Sequence, residues 1–204
     1  MPVPSRDLMR RTAVVSAMAA AAFIATEAAS RVIASRFPHR PAAPDLAYEV
    51  LPHVPAASYI TLAAMVALLL MLGARLIRRH PAHMPEYVAS VALMYLLRAA
   101  LTMLTPLAHD RAGSMLPFPL FENGLFPSGH TAVAVLLLLL VGRREAPRLH
   151  AAGMALLAIM VVTMPLSRAH YSIDIAGGAL LAYFVWREWS DEGLFGPLRA
   201  MVRP

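Results

Sequence analysis

The chain has no cysteine, which removes disulfides, thiolate catalysis and cysteine-bound zinc from consideration. It also has no lysine: all eighteen basic residues are arginines, and charged residues make up only 15% of the 204. What remains is 59% hydrophobic, with a mean hydropathy of +0.60. That is too apolar for an ordinary soluble domain and matches a polytopic membrane protein. A formal net charge of +6 would suit nucleic acid. Here the arginines flank apolar runs and no nucleic-acid motif is present, so orientation in a bilayer explains the charge better. There is no cluster of aspartates suited to Mg²⁺, and no metal or other cofactor is expected.

The apolar runs predict an all-α protein with six transmembrane helices, at about 12–35, 56–76, 87–107, 128–142, 151–166 and 171–189, forming one membrane-embedded unit over 1–204. Glu27 and Arg31 interrupt the first run and are spaced to pair at i,i+4 on a helix. The uncharged stretch Thr12 to Thr26 is also long enough for a signal-peptide core, so retention and cleavage both stay open, with a retained helix the working reading. Arg36 to Pro55 holds five prolines and reads as a loop. A second loop, Ala108 to Pro127, carries Asp110, Arg111 and Glu122.

Counting arginines orients the chain. The N-terminus, the basic turns after the second and fourth helices and the C-terminal end hold twelve. The other three connections hold five, and Arg98 lies inside a span. The bias puts both termini in the cytoplasm, with a bacterial plasma membrane as the expected setting. It also puts the starts of the fourth and sixth helices on the same outward face.

Those two starts carry the polar chemistry. In SRAHYSIDIAGG, Ser167 to Gly178, His170 and Asp174 stand four apart and share a helix face. The carboxylate can accept the imidazole Nδ1–H, fix the tautomer and leave Nε2 as nucleophile or base. A histidine at a helix start with an aspartate favouring the dipole is the ordinary alternative, but an aspartate in a membrane segment is expensive and marks function. In FPSGHTAV, Phe126 to Val133, Ser128 has the position of an N-cap, and Gly129 and His130 fall in the first turn. A helix start of this kind suits phosphate. Arg98 sits within the third span, where a buried guanidinium needs an anion: a phosphate oxygen, or an ion pair with Glu27. Arg168 could likewise bind phosphate or serve as an interfacial anchor. Thr102 and Thr105 are expected to bond back to their own helix.

FPSGHT and SRAHYSID resemble two motifs of the type 2 phosphatidate phosphatase superfamily, whose members share a six-helix membrane core. His170-Tyr171-Ser172-Ile173-Asp174, together with the segment from Arg98 to Pro106, is more similar to its sphingomyelin synthase branch. The resemblance implies His170 as nucleophile, Asp174 as its orienting carboxylate and His130 as general acid, through a phosphohistidine intermediate. Arg98, Ser128, Gly129 and Arg168 would hold the phosphate. The phosphatases' lysine is missing, and few cations favour a phosphodiester over a monoester. The expected activity is therefore transfer of a phospho-headgroup from a membrane phospholipid donor to a lipid alcohol acceptor, ceramide- or diacylglycerol-like. A lipid phosphate phosphatase and a non-enzymatic lipid transporter or flippase are the alternatives.

Overall fold

A computed structural model describes residues 6–108 and 124–204. Most of the second expected loop, with Asp110, Arg111 and Glu122, therefore lies outside the described residues. Every regular element among the described residues is helical. The helices are α1 (Arg6–Arg36), α2 (Leu46–Val50), α3 (Ala57–Arg79), α4 (Met84–Leu104), α5 (Gly129–Val141), α6 (Pro147–Leu166), α7 (Ser172–Glu188) and α8 (Gly196–Val202), with a 3₁₀ turn at Pro81–His83 before α4.

The boundaries follow local chemistry. Proline opens the 3₁₀ turn, α4, α6 and α8 near N1, where its missing N–H would have had no helical partner anyway. Pro106 keeps Thr105 out of the helical region, so α4 stops at Leu104. Gly142 ends α5 at φ +68°, a conformation natural to glycine. α6 closes with the two hydrogen bonds of a Schellman turn, Arg168 N–H to Pro165 O at 3.1 Å and Ala169 N–H to Met164 O at 3.0 Å. The left-handed residue of that turn is not glycine but Arg168, at φ +57°.

Four stretches are long and apolar enough to cross a membrane: Arg6–Arg36, Ala57–Arg79, Pro81–Leu104 and Pro147–Leu166. α5 is apolar but shorter, and its thirteen residues rise only about 20 Å against roughly 30 Å of hydrocarbon. α1 packs along α4, α3 along α6, and α5 along α7, while α5 also touches α3, α4 and α6. α5 is thus the central helix, with Ala132, Ala134 and Leu136 fully buried. Polar contacts are few between the long helices. Thr61 Oγ1 meets Thr163 Oγ1 at 2.7 Å, tying α3 to α6. In a lipid solvent close packing does more than hydrophobic exclusion. At Gly153 an added Cβ would lie 2.7 Å from the Leu138 side chain, so α6 approaches α5 across that glycine.

Candidate active site

The starts of α5 and α7 meet because the chain is glycine at the crossing. An added Cβ on Gly178 would sit 2.5 Å from the Ser128 carbonyl oxygen, a backbone atom that cannot swing aside. On Gly177 it would meet the Phe126 ring at 2.6 Å. The Ser128 N–H donates to the main-chain carbonyl of Asp174 at 2.9 Å, so the N-cap of one helix is bonded to the first turn of the other. Ser128 is fully buried, and its hydroxyl accepts the Thr131 N–H at 3.3 Å, the N-cap geometry its sequence position implies.

α4 holds the approach to this cap. Arg98, 5% exposed, donates from Nε to Pro127 O at 2.8 Å and from Nη2 to Gly124 O. One turn further on, Thr102 Oγ1 donates to Phe126 O at 2.9 Å. Thr102 thus bonds across to the loop instead of back to its own helix. The physical reason lies in the shortness of α5. Non-helical backbone beside lipid-embedded helices is tolerated only where its polar groups are satisfied by protein, and these donors satisfy three carbonyls of 124–127. Glu27 does not pair with Arg98; it accepts from Arg31 at 2.8 Å on α1, as the i,i+4 spacing predicts.

At the junction the two imidazoles face each other. His130 Nδ1 lies 3.3 Å from His170 Nε2, with ring centroids 5.5 Å apart and planes at 71°. On the far side of the second ring, His170 Nδ1 lies 3.3 Å from Asp174 Oδ2. The same oxygen accepts the Tyr171 N–H at 3.0 Å, so the carboxylate also caps its own helix. His170 and Asp174 are buried, whereas His130 is exposed. One proton assignment satisfies the whole row: His130 Nδ1–H donates to His170 Nε2, and His170 Nδ1–H donates to Asp174. Asp174 Oδ1 is buried without a hydrogen-bond partner among the described residues.

Of the other expected residues, Gly129 lies beside the guanidinium, an added Cβ there being 3.1 Å from Arg98 Nε. Arg98, Ser128, Gly129, His130, His170 and Asp174 therefore form one neighbourhood. Arg168 is engaged elsewhere. Its guanidinium lies 4.3 Å from the centroid of the Tyr48 ring and donates to the carbonyls of Tyr48 and Leu51 at the end of α2.

Sequence reasoning passed over Tyr48, which meets Arg168, and Asp45, which lies just ahead of α2. Asp45 caps α2 by accepting the Ala47 N–H at 2.8 Å, and it also accepts from the Ser172 N–H and, at 2.9 Å, from the Ser172 hydroxyl. Tyr48 stacks on Tyr171 at 5.1 Å. Burial first, then Tyr171, Asp174 and Asp45, push the Tyr48 phenol upward, so it stays protonated. An aspartate just ahead of a short helical run is a legible N-cap signal; its second role, at α7, leaves no local trace. Among the described residues no three His, Cys, Asp or Glu side chains are grouped as a metal site requires.

Two imidazoles in contact, one backed by a buried carboxylate, at the junction of helices in an apolar bundle, form equipment suited to proton and group transfer at a lipid boundary. Comparison with known families supplies the class, a membrane lipid phosphotransferase. The AtPDCT1/2 family profile matches residues 45–188, well over half of the chain, from Asp45 to the end of α7. The chain belongs to that family, the phosphatidylcholine:diacylglycerol cholinephosphotransferases. No curated protein matches it. The family match corrects the resemblance to the sphingomyelin synthase branch of the type 2 phosphatidate phosphatases. The resemblance rested on short motifs around His130 and His170, whereas the family profile spans all of 45–188.

Proposed function

We propose that this protein moves phosphocholine from phosphatidylcholine to a diacylglycerol, with His170 as nucleophile. The observation that carries the reading is the row His130, His170, Asp174, with 3.3 Å at each step. Asp174 orients His170 so that Nε2 presents a lone pair. Nε2 attacks phosphorus, and a P–N bond forms as the bond to the donor's glycerol oxygen breaks. His130, entering this step as the imidazolium, passes its Nδ1 proton to that oxygen and is left neutral, releasing a diacylglycerol. A second diacylglycerol then gives its hydroxyl proton back to His130 and attacks phosphorus, and the P–N bond breaks. One phosphodiester replaces another, so the exchange needs no external energy source.

A phosphorus atom does not fit between nitrogens 3.3 Å apart. The exposed His130 ring swings aside when the donor enters, while the buried His170 stays. Non-bridging oxygens are received by Arg98 Nη1, which has no hydrogen bond among the described residues, and by the amides of Gly129 and His130 at the dipole end of α5. Arg168 would reach the phosphate only by leaving Tyr48 and the end of α2, so the reading gives the oxygens to Arg98 and α5. In the membrane, α5 and α7 complete six crossings, both termini lie in the cytoplasm, and the histidines face outward, as the arginine bias favours.

The test is isotopic. Purified protein in vesicles receives phosphatidylcholine with a deuterated headgroup and a diacylglycerol of different acyl chains. Deuterated phosphatidylcholine carrying the acceptor's chains is expected by mass spectrometry. Release of free phosphocholine or phosphate alone would overturn transfer in favour of hydrolysis.

A further inference from the structure

The loop before α2 reaches across the molecule to grip the turn that carries His170, and Asp45 is its centre. A helix leaves its first N–H groups without intrahelical partners. At α7 the N-cap residue is Tyr171, whose phenol oxygen stands far out from the helix start and donates to Ala108 O. Asp174 accepts the Tyr171 N–H in cis. The next donor, the Ser172 N–H, is taken in trans by Asp45 Oδ2, from 127 residues away in sequence, and the Ser172 hydroxyl goes to Asp45 Oδ1. Asp45 is only 9% exposed, and its Oδ1 also caps α2. One carboxylate thus ends two helices at once.

Neighbouring contacts run the same way. Arg168 is bound to the end of α2, Tyr171 stacks on Tyr48, and the Tyr171 hydroxyl donates to Ala108 O at 3.1 Å. The Val54 N–H donates to Leu166 O at 2.8 Å. Residues 166, 168, 171 and 172 are therefore all fixed from outside, and His170 stands among them. Without Asp45, the Ser172 N–H and the positive end of α7 would draw on the Asp174 carboxylate in the same first turn, whose Oδ1 has no partner among the described residues and whose Oδ2 is only 3.3 Å from His170.

We infer that Asp45 is a positioning residue for the transfer reaction: by capping α7 in trans through Ser172, it leaves the Asp174 carboxylate to orient His170. The role rests on the reading of His170 as nucleophile, and its test carries a readout independent of turnover. In Asp45→Asn the amide oxygen can cap α2 or Ser172 but lacks the charge to hold both. Turnover is expected to fall about 10- to 100-fold, the scale of a reacting group displaced by about an ångström, with KM for the donor unchanged. In parallel, ¹⁵N spectra of histidine-labelled protein in detergent are expected to show the His170 ring losing its single Nδ1–H tautomer. Wild-type turnover or a wild-type tautomer signature in Asp45→Asn would overturn the inference. If that variant does not fold, Ser172→Ala decides: it removes only the hydroxyl bond, and a few-fold loss with a mixed tautomer is expected, whereas wild-type values of both refute the role. If the wild-type protein transfers no headgroup, the proposed function falls, and the tautomer measurement alone then judges Asp45.

Discussion

The two ends of the bundle hold the same kinds of side chain and put them to different uses. At the end where α5 and α7 begin, His170 meets Asp174, and among the described residues no arginine pairs with that carboxylate. At the opposite end, His83 Nδ1 lies 2.9 Å from Glu86, and His80 Nε2 lies 2.9 Å from Glu145. There each carboxylate is also matched by an arginine: Glu86 by Arg199 of α8, and Glu145 by Arg75 of α3 at 2.9 Å. Asp191 joins Arg199 and Arg203 in the same network. A histidine beside a carboxylate is therefore not enough to mark a reactive centre. With an arginine on the carboxylate, the pair fastens helices together. Without one, and with a second imidazole on the other side, the histidine keeps a nitrogen for chemistry.

The contrast can be broken most sharply by removing one histidine from each end. His170→Ala is expected to lower headgroup transfer about 1,000-fold or more, while His83→Ala stays within about twofold of wild type; equal losses would erase the distinction. Next comes the helix junction. Gly178→Ala drives a methyl against the Ser128 carbonyl and is expected to cut turnover about 100-fold by parting the rings. Gly73→Ala on α3, where nothing lies within 4 Å, should leave turnover intact and raise the melting temperature slightly. At the ion-paired end, Glu86→Gln should lower stability by about 1.5–3 kcal/mol, read from thermal unfolding in detergent, with turnover per folded molecule unchanged. The smallest effect concerns Glu145. Its hydrogen bond to His80, joined by the charges of His80 and Arg75, outweighs an opposing pull from burial and holds its pKa below the usual 4.5. A group lowered on folding contributes stability that is present above its unfolded pKa and lost as pH falls through the folded one. The melting temperature should therefore drop modestly on acidification below about 4.5, less so in Glu145→Gln.

Much of the bundle was legible because lipid imposes a simple rule. The apolar runs gave α3, α4, α6 and α7 to within a few residues, and Ser128 announced the start of α5. The two histidines could be placed together before any coordinates, because the arginine bias put their helix starts on one face. Other features were written at a distance. Asp45 caps α7 across 127 residues, and neither segment shows this alone. Thr102 would bond its own helix in isolation; it turns outward because Phe126 offers an unsatisfied carbonyl. Nothing local distinguishes Gly178 from a helix-weakening glycine until the Ser128 backbone is laid against it. The family branch was misjudged from short motifs around His130 and His170, whereas the family profile draws on the whole stretch 45–188; the diacylglycerol-like acceptor, one of the two expected, agrees with that family.

Asp174 takes part in the junction twice, its main-chain oxygen holding the Ser128 N–H and its carboxylate facing His170. Any tilt of α7 relative to α5 must first break the former bond, and it would drag the latter group along. On the proposed reading, an incoming lipid is admitted by rotation of the His130 ring, while the backbone of the two helix starts stays joined through the Ser128–Asp174 bond.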